Sequence, residues 1–337
     1  MSHVDLGFPL ECEPWRLQSY HFPSKIGGKP AWLILGDLPP PEALQCDLCH
    51  HPLIFLCQIY APFEESEANF HRTIFIFICR DPKCCVRNSN CNIKAFRCSL
   101  PRENKFYSFE PPEDKKDATF SVEKWSKLCS VCGCLGSKVC GRCKVVNYCS
   151  REHQMVDWKE GHKSECGVAG VDKDRVSFKL FPQFELVIEG EPHNERNVDE
   201  KEEMRKFEEM ESGGKIGTMS DVAECDMEQY AICDSDKAFT RFKERIADNS
   251  DQVLRYERGG QPLWIANEPK PDFIPECEYC MRPRQYEFQI MPQMLTALHE
   301  NELDFGVIVV YSCTDSCTEG IAYKNEFVFK QDVSTNC

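Results

Sequence analysis

The stretch CSVCGCLGSKVCGRCKVVNYCSREHQMVDWKEGHKSEC, residues 129–166, holds seven cysteines and two histidines in ordered spacings. Two C-x-x-C turns, Cys129 with Cys132 and Cys140 with Cys143, are followed by Cys149 with His153 and His162 with Cys166, each pair four residues apart. A C-x-x-C knuckle brings both sulfurs to the same side, and residues four apart on a helix share a face. Four such pairs supply eight donors, enough for two tetrahedral zinc ions. All the ligands then come from protein, with no position left for water, which marks structural rather than catalytic metal. Cys134 is the odd thiol out. It sits too close to Cys132 to join the knuckle without strain, and the reading makes it a packed or exposed non-ligand.

The rest of the composition fits a metal-rich chain in a reducing compartment. There are 23 cysteines in 337 residues, and in that setting thiols serve as ligands far more often than as disulfides. The N-terminus lacks the basic start and apolar run of a secretory signal. The longest apolar runs, such as Ile74–Cys79, are strand-length, so the chain reads as soluble, not secreted and without a membrane span. Ser2 and the final Cys337 give no lipidation signal. With 40 Lys and Arg against 55 Asp and Glu, the net charge is -15. That argues against direct nucleic-acid binding over the whole surface and favours a basic or neutral partner. The finger region itself is a mildly basic island.

An internal repeat explains why the metal module is central. GGKPAWLI at Gly27–Ile34 returns as GGQPLWIA at Gly259–Ala266. CDLCHHPLIFLCQIYAP from Cys46 then aligns with CEYCMRPRQYEFQIMP from Cys277, and TIFIFICRDPKCC with GVIVVYSCTDSC. Each copy thus carries a C-x-x-C, Cys46 with Cys49 or Cys277 with Cys280, and a second pair, Cys79 with Cys84 or Cys313 with Cys317. Two close pairs at strand ends are the donor set of a zinc ribbon, giving one further Zn2+ in each repeat; packed core thiols are the competing reading. Cys85 could stand in for Cys84. Cys12, Cys57, Cys91, Cys98, Cys225, Cys233 and Cys337 have no assigned role.

Strands are expected at Leu53–Tyr60, Thr73–Cys79, Tyr286–Ile290, Val307–Tyr311 and Phe327–Phe329, with one or two more in VSFKLFPQFELVIE. Helices are expected at Pro292–His299 and from Asp236, the latter with Phe239, Phe242 and Ile246 on one face. The fold class is α+β, mainly β: a duplicated β-rich unit packed as one core, interrupted by an inserted zinc finger and an acidic flexible segment. The divisions are 1–109 for the first half of the core, 110–126 for a linker and 127–167 for the finger. Strands return to the core over 168–188, the acidic segment occupies 189–222, and 223–337 forms the second half. The finger is expected to be an appendage of this core.

Residues 129–166 resemble the MYND zinc finger, with Tyr148, Cys149, His153 and Gln154, then Asp157, Trp158, His162 and Cys166 in the family's pattern. The resemblance implies interleaved sites: Cys129, Cys132, Cys149 and His153 on one Zn2+, and Cys140, Cys143, His162 and Cys166 on the other. His153 stands where many members have Cys, which makes that site one charge less anionic. It also implies a docking surface for Pro-containing peptides. The paired GG-x-P-x-W units, HRTIF at His71–Phe75, LPRENKFYSFEPP at Leu100–Pro112 and EFVFKQD at Glu326–Asp332 together resemble the programmed cell death protein 2 family over nearly the full length. That likeness implies a dedicated chaperone of ribosome biogenesis, cytoplasmic and nuclear. Its client would be a newly made basic small-subunit ribosomal protein, the fifth universal protein of that subunit, with the chaperone otherwise a monomer.

No catalytic constellation stands out. The histidines outside the finger have no spacing to a nucleophile or carboxylate pair. His50 and His51 read as exposed turn residues beside a knuckle, and the glycine pairs as turns without a phosphate-loop lysine. A methyltransferase of the SET kind lacks its Asn-His motif here. The reading is therefore not an enzyme, with a transcription-linked scaffold docking corepressor peptides as the alternative.

Overall fold

The computed structural model describes residues 3–117, 119–168, 177–192 and 238–333. Beyond Pro192 the acidic segment lies outside these residues, as do Cys225, Cys233 and Cys337. Its first residues do not: Glu189 and Gly190 belong to a strand, and the Glu191 carboxylate accepts from Arg245 and Arg255.

Ten strands close into a barrel in which every ladder is antiparallel. In chain order they are β1 (Asp5–Leu10), β2 (Lys25–Ile26), β3 (Ile54–Tyr60), β4 (His71–Ile78), β5 (Ile93–Leu100), then β8 (Phe184–Gly190), β9 (Leu254–Tyr256), β10 (Arg284–Ile290), β11 (Val307–Cys313) and β12 (Lys324–Gln331). β6 (Lys138–Val139) and β7 (Asn147–Tyr148) form a separate hairpin in the finger. Around the barrel the order is β1-β8-β2-β3-β4-β5-β12-β11-β10-β9. Two three-stranded meanders, β3–β5 and β10–β12, meet edge to edge where Arg97, Phe96 and Ala95 pair with Lys324, Asn325 and Glu326. On the far side β2, β8, β1 and β9 bridge them.

β4 is buried along its whole length and β3 at all but its last residue. Both faces are covered, so these strands read as continuous apolar runs rather than alternating ones. β12 alternates, with Phe327 and Phe329 turned toward an outer layer. That layer is the helix at 238–246, whose Phe242 and Ile246 are buried with Phe239 packed beside them. The return segment makes one strand, β8, while 177–183 is turn and loop.

The two meanders share local geometry as well as order. β3 bulges between Phe55 and Cys57, and β10 between Tyr286 and Phe288. The Gln58 amide donates to the Ala31 carbonyl and accepts from its N–H, and Gln289 does the same at Leu263. In both halves a glutamine thus pins the Gly-Gly-x-Pro-x-Trp loop to a strand.

Two expectations change. The finger is not a free appendage. The Trp32 indole N–H donates to the Gly133 carbonyl at 2.8 Å with Trp32 only 1% exposed, and Leu44 and Leu53 belong to the same buried core cluster as Cys132, Cys134 and Cys149. The 110–126 segment, read as a linker, lies on the barrel: Phe120 packs between Tyr20 and Tyr107, Trp125 stands edge-on to Phe106, and the Ser126 hydroxyl donates to the Leu35 carbonyl. Its aromatic residues, among polar neighbours, give it a surface to bury.

Candidate metal centres

The fold brings the expected donors together in four groups, within each of which the ligand atoms lie within 4.8 Å of one another. In the finger, Cys129, Cys132, Cys149 and His153 form one group, and Cys140, Cys143, His162 and Cys166 the second. In the barrel, Cys46, Cys49, Cys79 and Cys84 form the third, and Cys277, Cys280, Cys313 and Cys317 the fourth.

The separations test whether zinc fits. Four sulfurs at about 2.3 Å from a tetrahedral ion lie about 3.8 Å apart, whereas a disulfide is ~2.05 Å long. The Sγ···Sγ distances are 3.7 Å for Cys49–Cys79, 3.7 Å for Cys132–Cys149, 3.8 Å for Cys140–Cys166, 3.7 Å for Cys277–Cys317 and 3.5 Å for Cys280–Cys313. His153 faces its group through Nδ1, 3.6 Å from Cys129 Sγ, and His162 through Nε2, 3.4 Å from Cys140 Sγ. These separations are close to the edge lengths of a tetrahedron of donors around a thiophilic ion, and they match no disulfide.

Backbone geometry prepares each knuckle in the same way. The first cysteine's carbonyl accepts the N–H of the residue four along: Cys46 from His50, Cys129 from Gly133, Cys140 from Lys144 and Cys277 from Met281. All four of those residues are left-handed, which turns the chain tightly enough for two sulfurs to converge. The first cysteine's N–H then donates across the turn, to His51, Cys134, Val146 and Arg282 respectively. Cys134 therefore contributes its carbonyl, at 2.7 Å from the Cys129 nitrogen, while its thiol is buried outside the ligand group. His50 and His51 also stay outside the group, as turn residues of the knuckle. Cys85 does not replace Cys84; its thiol donates to the Asp304 carbonyl at 3.2 Å.

Helix α1 (Arg151–Asp157) supplies His153. The Ser150 hydroxyl caps it by accepting from the His153 N–H at 3.1 Å, which fixes the ring one turn from Cys149. His162 and Cys166 were expected one above the other on a helix. Instead the chain breaks at Gly161, with φ at 153°, and restarts as the single turn Lys163–Glu165, leaving Cys166 extended. The break needs glycine. It lets the second pair aim away from α1 toward Cys140 and Cys143.

Arginines from the first meander hold the fourth group. Arg97 donates to the Cys317 carbonyl at 3.1 Å and lies 3.7 Å from its sulfur, while Arg72 donates to Ser316 Oγ at 3.1 Å. The buried Glu326 carboxylate accepts from both Arg97 and Arg284. Sequence patterning missed these residues, because charged side chains in β4, β5, β10 and β12 resemble surface positions. Of the unassigned thiols, burial pushes Cys98 up to about 12 and Cys57 higher still, so both are inert core residues at neutral pH.

Fold and clusters together define a mainly β protein built around a MYND zinc finger, and the finger's family model matches residues 129–166. The models of programmed cell death protein 2 match on either side, the N-terminal domain over residues 3–114 and the C-terminal domain over 236–332. The chain is 42% identical to programmed cell death protein 2 of Rattus norvegicus and 42% to that of Bos taurus, in both cases over 98% of this chain and 97% of the relative. It belongs to the programmed cell death protein 2 family. A more distant relative, 23% identical over 94% of this chain and 93% of its own, is named "Probable 20S rRNA accumulation protein 4" in Schizosaccharomyces pombe. No solved structure matches the chain.

Proposed function

We propose that this chain is a zinc-braced adaptor, not an enzyme, that holds a newly made basic protein of the small ribosomal subunit, the fifth universal one, in the cytoplasm and nucleus and supports assembly of the subunit. The observation that carries the reading is the near full-length likeness to a relative named for 20S rRNA accumulation. The net charge of -15 suits such a client, because basic ribosomal proteins attract stray polyanions until their charge is screened. In this reading two Zn2+ ions sit in the finger and one in each barrel half, and the halves descend from one duplicated unit. The ions supply cross-links where the sheet ends in long loops, and closed four-donor sets leave them no catalytic position.

The finger plays a secondary part. One side is already seated on the barrel, and its outward side, with Val139 and Val145 exposed near Arg142 and Lys144, is left for a Pro-containing or acidic peptide. The test is the most abundant protein that co-purifies with the intact chain. A basic small-subunit ribosomal protein is the expected result. Chromatin or corepressor components in its place would overturn the reading in favour of a transcription-linked scaffold.

A further inference from the structure

A groove of about 570 Å³ runs over the seam where β5 meets β12, with walls from both halves of the barrel. Leu38, Pro40 and Phe96 line it from the first half, and Tyr279, Ile321 and Phe327 from the second. Ile321 is 56% exposed, which leaves more than half of an apolar residue open to solvent. A volume of this size, within the roughly 300–1,000 Å³ of ordinary ligand clefts, has room for a few side chains of a bound segment.

Its charges are arranged unevenly. At the base, Glu326 is engaged by two arginines, and at one end Asp47 pairs with Lys94 at 2.9 Å. Asp37 and Glu278 remain, both exposed and neither in an ion pair among the described residues. An apolar trough edged by two uncompensated carboxylates selects an occupant that carries both apolar and cationic side chains. The chain's own acidic 193–237 segment has the wrong sign, and so does a second copy at net charge -15.

The geometry points to this seam groove as the place where a basic, partly apolar segment of the client lies against the barrel. The inference rests on the proposed chaperone reading and gives it a site: one that exists only when both halves are joined.

The test uses the intact chain and three exposed substitutions, Asp37→Lys, Glu278→Lys and Ile321→Glu, with Leu10→Glu, at an exposed position on β1 across the barrel from the seam, as control. Binding is measured for the fifth universal small-subunit protein and, separately, for an acetylated dodecapeptide alternating arginine with leucine, with thermal midpoint and zinc content checked for every variant. The triple groove variant should weaken both by at least about tenfold, or about 1.4 kcal/mol, with fold and zinc unchanged, and the Leu10→Glu control should bind like the parent. Client binding within twofold of the parent in the groove variant overturns the groove while leaving the chaperone reading standing. If the parent captures no ribosomal protein, the chaperone reading fails, and the peptide decides the groove alone: loss in the triple variant retains it, and equal binding overturns it.

Discussion

The most demanding consequence of the barrel lies in its interior. Arg72 on β4 and Glu287 on β10 are not neighbours in the sheet, yet they meet across the lumen with both side chains fully buried. Arg72 donates both terminal nitrogens to the carboxylate and also reaches Ser316 and Ser312; Glu287 accepts in addition from the Tyr256 hydroxyl at 3.1 Å and from Ser312. Burial pushes the Glu287 carboxyl upward, but the charge and hydrogen bonds of Arg72 outweigh it and hold the group below its ordinary value.

Removing one partner of such a pair costs about 3–5 kcal/mol. Arg72→Met should fall near the lower end, because Glu287 keeps Ser312, Tyr256 and the Arg258 guanidinium at 4.0 Å. Glu287→Gln should fall near the upper end, since it leaves two guanidinium groups facing one another. At about 2–4 °C per kcal/mol for a chain of this size, either change should lower the thermal midpoint by roughly 6–20 °C. The double variant Arg72→Met with Glu287→Leu should lose less than the sum of the single variants. Urea and thermal unfolding followed by circular dichroism, with zinc present throughout, gives all three values. Single costs below about 1 kcal/mol, or a double variant equal to the sum, would refute a sealed lumen joining the two halves.

Other outcomes follow from the same geometry. Cys134→Ser should keep the finger's zinc and fold, whereas Cys149→Ser should lose one ion and unfold the module, as read by metal content and limited proteolysis; equal behaviour would mean the ligand set is misassigned. Trp32→Phe removes the indole bond to Gly133 and should raise amide exchange in 129–149 by an amount equivalent to about 1 kcal/mol, with zinc content unchanged. His71, buried near Arg102, is held down to about 4 from 6.5. The folded state therefore keeps it neutral while the unfolded chain protonates, so stability is full above pH 6.5 and falls as pH drops toward 4. His71→Phe should flatten that part of the pH profile, and an unchanged slope would show that other groups control it.

Much of this was legible in the sequence, and the exceptions have physical causes. β3, β4 and β11 announce themselves because both of their faces are buried in apolar contacts. β5 did not, since Arg97 interrupts its pattern, and only a partner from another strand, Glu326, makes that arginine an interior residue. β1 contains Gly7 and Pro9, poor strand formers that tertiary pairing with β8 and β9 overrides. The metal donors were legible because coordination fixes spacing locally, as C-x-x-C and i, i+4 pairs. What spacing could not reveal was the docking of the finger on Trp32 and the groove over β5 and β12, for both join residues more than a hundred positions apart.

The claim that ties the account together is that clustered thiolates around metal, rather than disulfides or packed thiols, hold both the barrel halves and the finger. Elemental analysis of the purified intact chain, paired with native mass spectrometry, measures it directly. Four groups of four donors predict four zinc ions per chain. Two ions would confine metal to the finger and contradict the sites in the barrel halves, and none would contradict the account as a whole.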